Sequence, residues 1–188
     1  IVGIGIDLLR GAEEIEVLGR EVQLGRLGAL SPWPRWRVKA VATAMGAALG
    51  GLLAVGTAVG ILGMEVASAP KAYAVGVLGA VTVGMVALVF LTLFGLAGEL
   101  LGILFTTIFG VPSALGVYPA PAMPGVFRFI ASWHPMRYLT DALRSIAFFG
   151  ASGAGLGRAV VIISLWLVGA LVAGAVSALL LDRRRPAA

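Results

Sequence analysis

The sequence predicts an all-α fold: a polytopic integral membrane helix bundle with a re-entrant or interfacial helix pair before its last span. Three observations predict it. Of 188 residues, 60% are hydrophobic and only 12% are charged, whereas soluble domains carry about 25% charged residues. Four apolar runs are long enough to cross a bilayer, which takes about 20 helical residues. Prolines and short amphipathic stretches gather just before the last of these runs.

The first part of the chain is divided between a short apolar segment and a polar one. Residues 1–9 cannot cross a bilayer, and we interpret them as the end of a truncated transmembrane helix because no charged signal-peptide region precedes them. Residues 10–39 are predicted to form a cytoplasmic amphipathic segment, since apolar positions three or four apart share one helix face. Pro32 and Pro34 are expected to end that helix. Tryptophans and basic residues follow, as is typical of a membrane–water interface.

The rest of the chain alternates between apolar runs and short polar connections. The stretch after the third run contains proline-flanked helical pieces that are each too short to cross, which favours re-entrant or interfacial helices. The predicted elements are transmembrane helices over 40–63, 72–97, 98–117 (kinked at Pro112) and 158–181, extracytoplasmic re-entrant or interfacial helices over 118–157, and a cytoplasmic tail over 182–188.

The distribution of lysine and arginine predicts the orientation. If residues 10–39 are cytoplasmic, that side carries nine of the 14 lysine and arginine residues and the opposite side carries five. Positive residues are enriched on the cytoplasmic side of membrane proteins. We therefore expect a multi-pass plasma-membrane protein with a cytoplasmic C-terminus, whose partner is the lipid bilayer. Its net charge of +5 is then explained by orientation, and no nucleic acid partner is expected.

The sequence carries little that could support catalysis or metal binding. Cysteine is absent and His134 is the only histidine, which argues against a metal site built from these ligands. No phosphate-binding glycine loop is present, so ATP would have to be handled by another chain. Because Pro135 follows His134, we interpret the histidine as a helix-end residue at the interface. We expect no enzyme activity, no catalytic residues, no cofactor and no metal.

Glu99 is an acidic residue between two apolar runs, and two interpretations of it stay open. Ionisable groups inside a membrane are costly and often functional, which favours a gating or proton-linked role. A carboxylate in the first turn of a helix is also stabilised by the helix dipole, which favours a structural role. By its predicted position, Glu99 begins the third of the four spans.

Two further patterns concern helix packing. Arg137, Asp141 and Arg144 step by four and three residues, so they are predicted to form an ion-pair ladder on one helix face. The ladder would stabilise the re-entrant elbow or bind an anionic headgroup or substrate. Small residues at four-residue spacing let helices approach closely, within one chain or in a homodimer. The glycine pairs with this spacing are Gly46 and Gly50, Gly56 and Gly60, and Gly98 and Gly102.

The order of elements resembles the C-terminal part of a type-2 ABC exporter permease. Within that superfamily, the segments 111–119, 123–129 and 134–144 are similar to the YhgE/Pip (phage infection protein) branch and its actinobacterial relatives. The resemblance implies a permease that works as a homodimer with a separate ATPase subunit. It also implies a cytoplasmic coupling segment, here formed by Glu13, Glu14, Glu16, Arg20 and Glu21.

Two functions are consistent with these features. The first is a membrane permease subunit that exports an apolar or amphipathic substrate, such as a lipid, a drug or an envelope precursor. The alternative is a non-transporting membrane scaffold that anchors an extracellular domain, as a surface receptor or a secretion-system component. The few polar residues in the predicted spans do not suit a hydrophilic channel. They suit a lateral path for lipid-like molecules and a scaffold equally well.

Overall fold

The chain folds as an all-α bundle. A computed structural model describes residues 31–116, 120–150 and 155–183, and within these ranges the regular structure is helical with no strand. Four of the helices are long and apolar enough to cross a membrane. The predicted fold class, an all-α helical membrane bundle, is therefore confirmed. The predicted helix end over 1–9 and most of the amphipathic segment lie outside the described residues.

Six helices, numbered here α1 to α6, make up the described bundle. Two of them change to the wider π-helical geometry before they end. The bounds are Pro32–Gly56 for α1, continued as a π-helix over Thr57–Ile61; Ala69–Phe94 for α2; Leu96–Ile103 for α3, continued as a π-helix over Leu104–Gly110 and an α-helical turn over Val111–Ser113; Gly125–Ala131 for α4; Pro135–Phe148 for α5; and Leu156–Arg183 for α6.

The start of α1 differs from the prediction. The helix begins at Pro32, so the aromatic and basic residues up to Lys39 belong to the first span and not to the preceding amphipathic segment. The physical reason is that proline blocks the continuation of a helix but is favoured in its first turn, where the backbone N–H groups have no partner in any case. Pro32 and Pro34 therefore begin a helix at the point where they were expected only to end one.

The central helix is α2, which packs against α1, α3, α5 and α6. Thr43 of α1 packs on Gly84 of α2, and eight residues later Gly51 meets Tyr73 and Val77. The two helices are therefore antiparallel, and α3 is antiparallel to α2 as well, because Gly98 meets Phe90 and Gly102 meets Ala87. By contrast, α6 runs parallel to α2. The early residues of both helices share one buried cluster, and their later residues share another.

A single glycine reverses the chain between α2 and α3. Gly95 has φ +59° and ψ −134°, a combination that residues with a β-carbon rarely adopt. Three residues later, Gly98 lies so close to the backbone carbonyl of Phe90 that a β-carbon would overlap it. Gly102 meets Ala87 one turn further on. Of the predicted small-residue pairs, Gly98 and Gly102 thus pack within the chain, whereas Gly50, Gly56 and Gly60 have open space around them.

Candidate functional site

The feature that distinguishes this bundle is a chain reversal between α4 and α5, at Ser132–His134, which we call the elbow. Leu139 of α5 packs directly on Gly79 of α2, and Trp133 stacks on Trp166 of α6 with ring centroids 6.0 Å apart. The C-terminal end of α5 lies near the start of α2, where the Ala67 N–H donates to the carbonyl of Ile146. The hairpin of α4 and α5 therefore descends into the bundle and returns to the end from which it came.

The depth of the elbow follows from the register of α2 and α6. Thr82, which lies halfway along α2, approaches the Ile163 carbonyl of α6 with a separation of 3.5 Å from its hydroxyl oxygen. Trp166, the partner of Trp133, lies about one turn further along α6. From Ala69 to Thr82 is about 20 Å at roughly 1.5 Å per residue. The elbow thus reaches about the middle of the bundle, as a re-entrant hairpin does.

Backbone groups at such a depth need partners within the protein, because a bilayer core offers no water. The Trp166 indole N–H donates to the carbonyl of Trp133 at 3.0 Å, and the Tyr138 hydroxyl donates to the carbonyl of Ser132 at 2.6 Å. His134 supplies two more bonds with its ring. The Met136 N–H donates to its Nδ1 at 3.2 Å, and its Nε2 lies 3.2 Å from the Phe105 carbonyl.

These two contacts indicate which ring nitrogen of His134 carries the proton. Because Nδ1 accepts a hydrogen bond, the proton of the neutral ring lies on Nε2 and is donated to the Phe105 carbonyl. His134 is the N-cap of α5 and also links α5 to α3. A β-carbon on Gly110 would approach its ring to 2.9 Å.

A polar cavity of about 300 Å³ lies beside the elbow, between α5 and the start of α6. Its lining carries two guanidinium groups and one carboxylate, so the charged side chains sum to +1. Arg137 Nε lies 3.6 Å from Asp141 Oδ2, with both side chains more than a third exposed. The side chains that line the cavity are those of Ser132, Arg137, Tyr138, Asp141, Arg158 and Ala159.

The predicted ion-pair ladder is only half present. Arg137 and Asp141 face each other, but Arg144 turns away and donates from Nη2 to the carbonyls of Leu115 and Gly116, both at 2.9 Å. Leu115 has φ +54°, an unfavourable conformation for a residue with a β-carbon. Arg144 therefore fastens α5 to the turn after α3, because two adjacent carbonyls in that turn point at its guanidinium.

This difference predicts unequal effects of two matched substitutions on α5. We expect Arg144→Gln to lower the free energy of unfolding by about 1–1.5 kcal/mol, because it removes bonds from an exposed guanidinium to two carbonyls. Arg137→Gln should change it by less than about 1 kcal/mol, because the pair with Asp141 is partly solvated. Chemical unfolding in detergent, followed by circular dichroism, measures both values. Equal losses for the two variants would contradict the assignment.

An apolar groove of about 420 Å³ lies between α2 and α6 beyond the elbow. Trp166 and Phe90, which line the groove, both contact Phe105, and Phe105 in turn contacts Trp133 and His134. The elbow is therefore in contact with the polar cavity through Ser132 and with the groove through its aromatic neighbours. The groove is lined from α2 by Val86, Val89 and Phe90, and from α6 by Leu165, Trp166 and Gly169 among others.

The remaining predicted residues lie elsewhere. Glu99 is buried in the first turn of α3, so the position near a helix N-terminus is as expected, and both interpretations of it stay predictions. Lys39 of α1 is also buried. The coupling residues Glu13, Glu14, Glu16, Arg20 and Glu21 lie outside the described residues. In the described part of the chain, no group of three histidine, cysteine or acidic side chains is placed to hold a metal.

Sequence patterns did not identify the contacts of His134 or the place of Arg158 in the cavity. One signal for the first was available, since a histidine directly before a proline at a helix start occupies the N-cap position. The contact with the Phe105 carbonyl leaves no pattern in the sequence, because every residue type has a backbone carbonyl. In the sequence, Arg158 is distinguished only as a charge flanking the last span.

The family of the chain is shown by a match to one family model. No curated protein matches the chain, and no solved structure matches it. One family model, described as "Protein of unknown function (DUF3533)", matches residues 73–172. This range includes most of α2, all of α3, α4 and α5, and the part of α6 that lines the cavity and most of the groove. The chain therefore belongs to the DUF3533 family, and the elbow, the cavity and most of the groove lie within the matched region.

Proposed function

We propose that this chain is a membrane permease subunit that exports an amphipathic substrate. The observation that carries the proposal is the alignment of the polar cavity with the apolar groove. Arg158, Leu165 and Gly169 are seven and then four residues apart, so they fall within about 40° of one another around α6. A molecule lying along this face of α6 would meet a cationic group first and an apolar groove next.

On the α2 side of the groove, residues with the same spacing also share one helix face. Gly79, Val86 and Phe90 of α2 are also spaced by seven and four residues, so they share one face of that helix. Gly79 is covered by Leu139 of α5, while Val86 and Phe90 line the groove. The contact with α5 and the groove therefore lie on the same face of α2. A path of this kind suits a molecule with a polar head and an apolar tail.

The energy source, the assembly and the orientation of this permease are further parts of the proposal. The resemblance to type-2 ABC exporter permeases supports a homodimer served by a separate ATPase, docked on the segment before α1. The balance of lysine and arginine supports a plasma-membrane location with the C-terminus in the cytoplasm. The elbow would then enter the bundle from the extracytoplasmic side.

Transport in membrane vesicles tests the proposal. Inverted vesicles from cells that produce the full-length protein would receive ATP and a fluorescent phospholipid, and translocation would be read from protection against an impermeant quencher. We expect faster translocation than in vesicles that lack the protein. Gly169→Leu should slow it several-fold, because leucine would fill the groove at a site where a β-carbon meets nothing within 4 Å. Gly56→Leu, equally open but outside the groove, is the matched control.

Two results would contradict the proposal. One is translocation at the same rate with and without the protein. The other is equal activity of the Gly169→Leu and Gly56→Leu variants, which would exclude the groove as the path. Mass spectrometry of proteins that co-purify from the native membrane gives an independent reading. A stoichiometric ATPase supports the permease, whereas envelope proteins without an ATPase support the scaffold.

A further inference from the structure

Arg158 is a cationic side chain that has no ion-pair or hydrogen-bond partner among the described residues. It lies in the first turns of α6 and is exposed toward the polar cavity. No described residue forms an ion pair or a hydrogen bond with its guanidinium, whereas Asp141, the acidic group of the cavity, faces Arg137. Arginine is costly near a membrane unless it meets water or an anion. The cavity therefore offers an anion one uncompensated positive charge.

Arg137 adds a donor to the same cavity. Its Nε is buried yet makes no hydrogen bond, since its separation from Asp141 Oδ2 is 3.6 Å. The Tyr138 hydroxyl, in contrast, already donates to the Ser132 carbonyl. The unsatisfied donors in the cavity thus belong to two guanidinium groups. Guanidinium groups bind phosphate and carboxylate oxygens in a planar, two-pronged geometry that ammonium groups do not provide.

The apolar groove restricts which anions fit. From Arg158 to Leu165, where the groove begins on the same face of α6, is about 10 Å at roughly 1.5 Å per residue. A free phosphate ion would leave the groove unused. An amphiphile with its anionic group at the arginines would place its first chain segments against Leu165 and its later ones against Gly169 and Phe90.

We propose that the cavity binds the phosphate of an anionic phospholipid-like amphiphile, held by Arg158 and Arg137, while its tail lies in the groove between α2 and α6. This inference rests on the proposed export function, because the bound lipid is a substrate only if the protein exports it. It assigns the headgroup class of the substrate and two residues that select it. Zwitterionic lipids should bind more weakly, because their ammonium group would be repelled by the net positive lining.

Tryptophan quenching by brominated lipids tests the binding, since Trp166 lines the groove. The full-length protein in lipid nanodiscs would be titrated with phosphatidylglycerol or phosphatidylcholine, each brominated on its acyl chains. We expect tighter binding of phosphatidylglycerol. Arg158→Gln should weaken it by about tenfold, the value of one charge-assisted hydrogen-bonded contact. Arg158→Lys should retain part of the preference because it keeps the charge.

The matched control is Arg128→Gln, which removes an exposed arginine of α4 that does not line the cavity. It should leave the preference unchanged. Glycerol phosphate without acyl chains should fail to displace the brominated lipid. Equal quenching by both lipids, equal losses in the Arg158→Gln and Arg128→Gln proteins, or displacement by glycerol phosphate alone would each overturn the inference.

The test separates this inference from the proposed function because binding is measured without transport. A preference for phosphatidylglycerol that depends on Arg158, in a protein that moves no lipid, would retain the binding site and reject export. Transport that is blocked by Gly169→Leu but shows no preference for anionic lipids would retain export and reject the headgroup site.

Discussion

Gly98→Ala is expected to be the most damaging single substitution in the described bundle. The added β-carbon would overlap the Phe90 carbonyl oxygen and approach the backbone of Leu91. Because both groups belong to the α2 backbone, no side-chain rotation can relieve the overlap, and α3 would have to move away from α2. Overpacking costs about 1–3 kcal/mol where side chains can adjust. We expect a loss of at least about 3 kcal/mol, or failure to fold.

The control for this prediction is the same substitution on an open helix surface. Gly50 lies in α1 with nothing within 4 Å of an added β-carbon. Gly50→Ala should be neutral or stabilise by up to about 1 kcal/mol, because alanine is the better helix former. Monodispersity in size-exclusion chromatography and thermal unfolding in detergent would compare the two proteins. A Gly98→Ala protein as stable as Gly50→Ala would refute the tight α2–α3 contact.

The second large effect is expected at His134. His134→Leu removes both the N-cap of α5 and the bond to the Phe105 carbonyl, two contributions that add to about 2–3 kcal/mol. His134→Asn should lose only about half as much, because asparagine can cap the helix but is too short to reach α3 as well. Thermal unfolding, followed by tryptophan fluorescence, measures both. Equal stability of all three proteins would exclude the linking role.

The positions of the helices were largely accessible from the sequence. Apolar runs of sufficient length predicted the four candidate spans, and the short, proline-flanked pieces before the last run predicted a pair of shorter helices. These features depend on local pattern, which one helix carries by itself. The start of α1 lies before the predicted start at residue 40, because Pro32 and Pro34, which are expected to end the preceding segment, also begin this helix. Their preference for a first helical turn is an equally local rule.

The candidate site was less accessible, for a physical reason. Arg137, Asp141 and Arg144 share a helix face by spacing alone, yet the partner of Arg144 is a pair of backbone carbonyls after α3. Backbone carbonyls exist at every position and leave no pattern in a sequence. The π-helical geometry around Phe105 is equally invisible, although such segments are frequent at functional sites. Which of these groups meet is decided by how helices far apart in the chain pack together.

The bond from Trp166 to the Trp133 carbonyl has a consequence for the order in which the protein can be made. Neither α4 nor α5 is long enough to be inserted as a span, so the ribosome and the insertion machinery must leave both outside the hydrocarbon core. Trp166 lies in α6, which is synthesised after both. The Trp133 carbonyl can therefore gain its partner only once the helix that follows the hairpin is in place, whereas the contacts of His134 with Phe105 and of Leu139 with Gly79 involve helices made earlier.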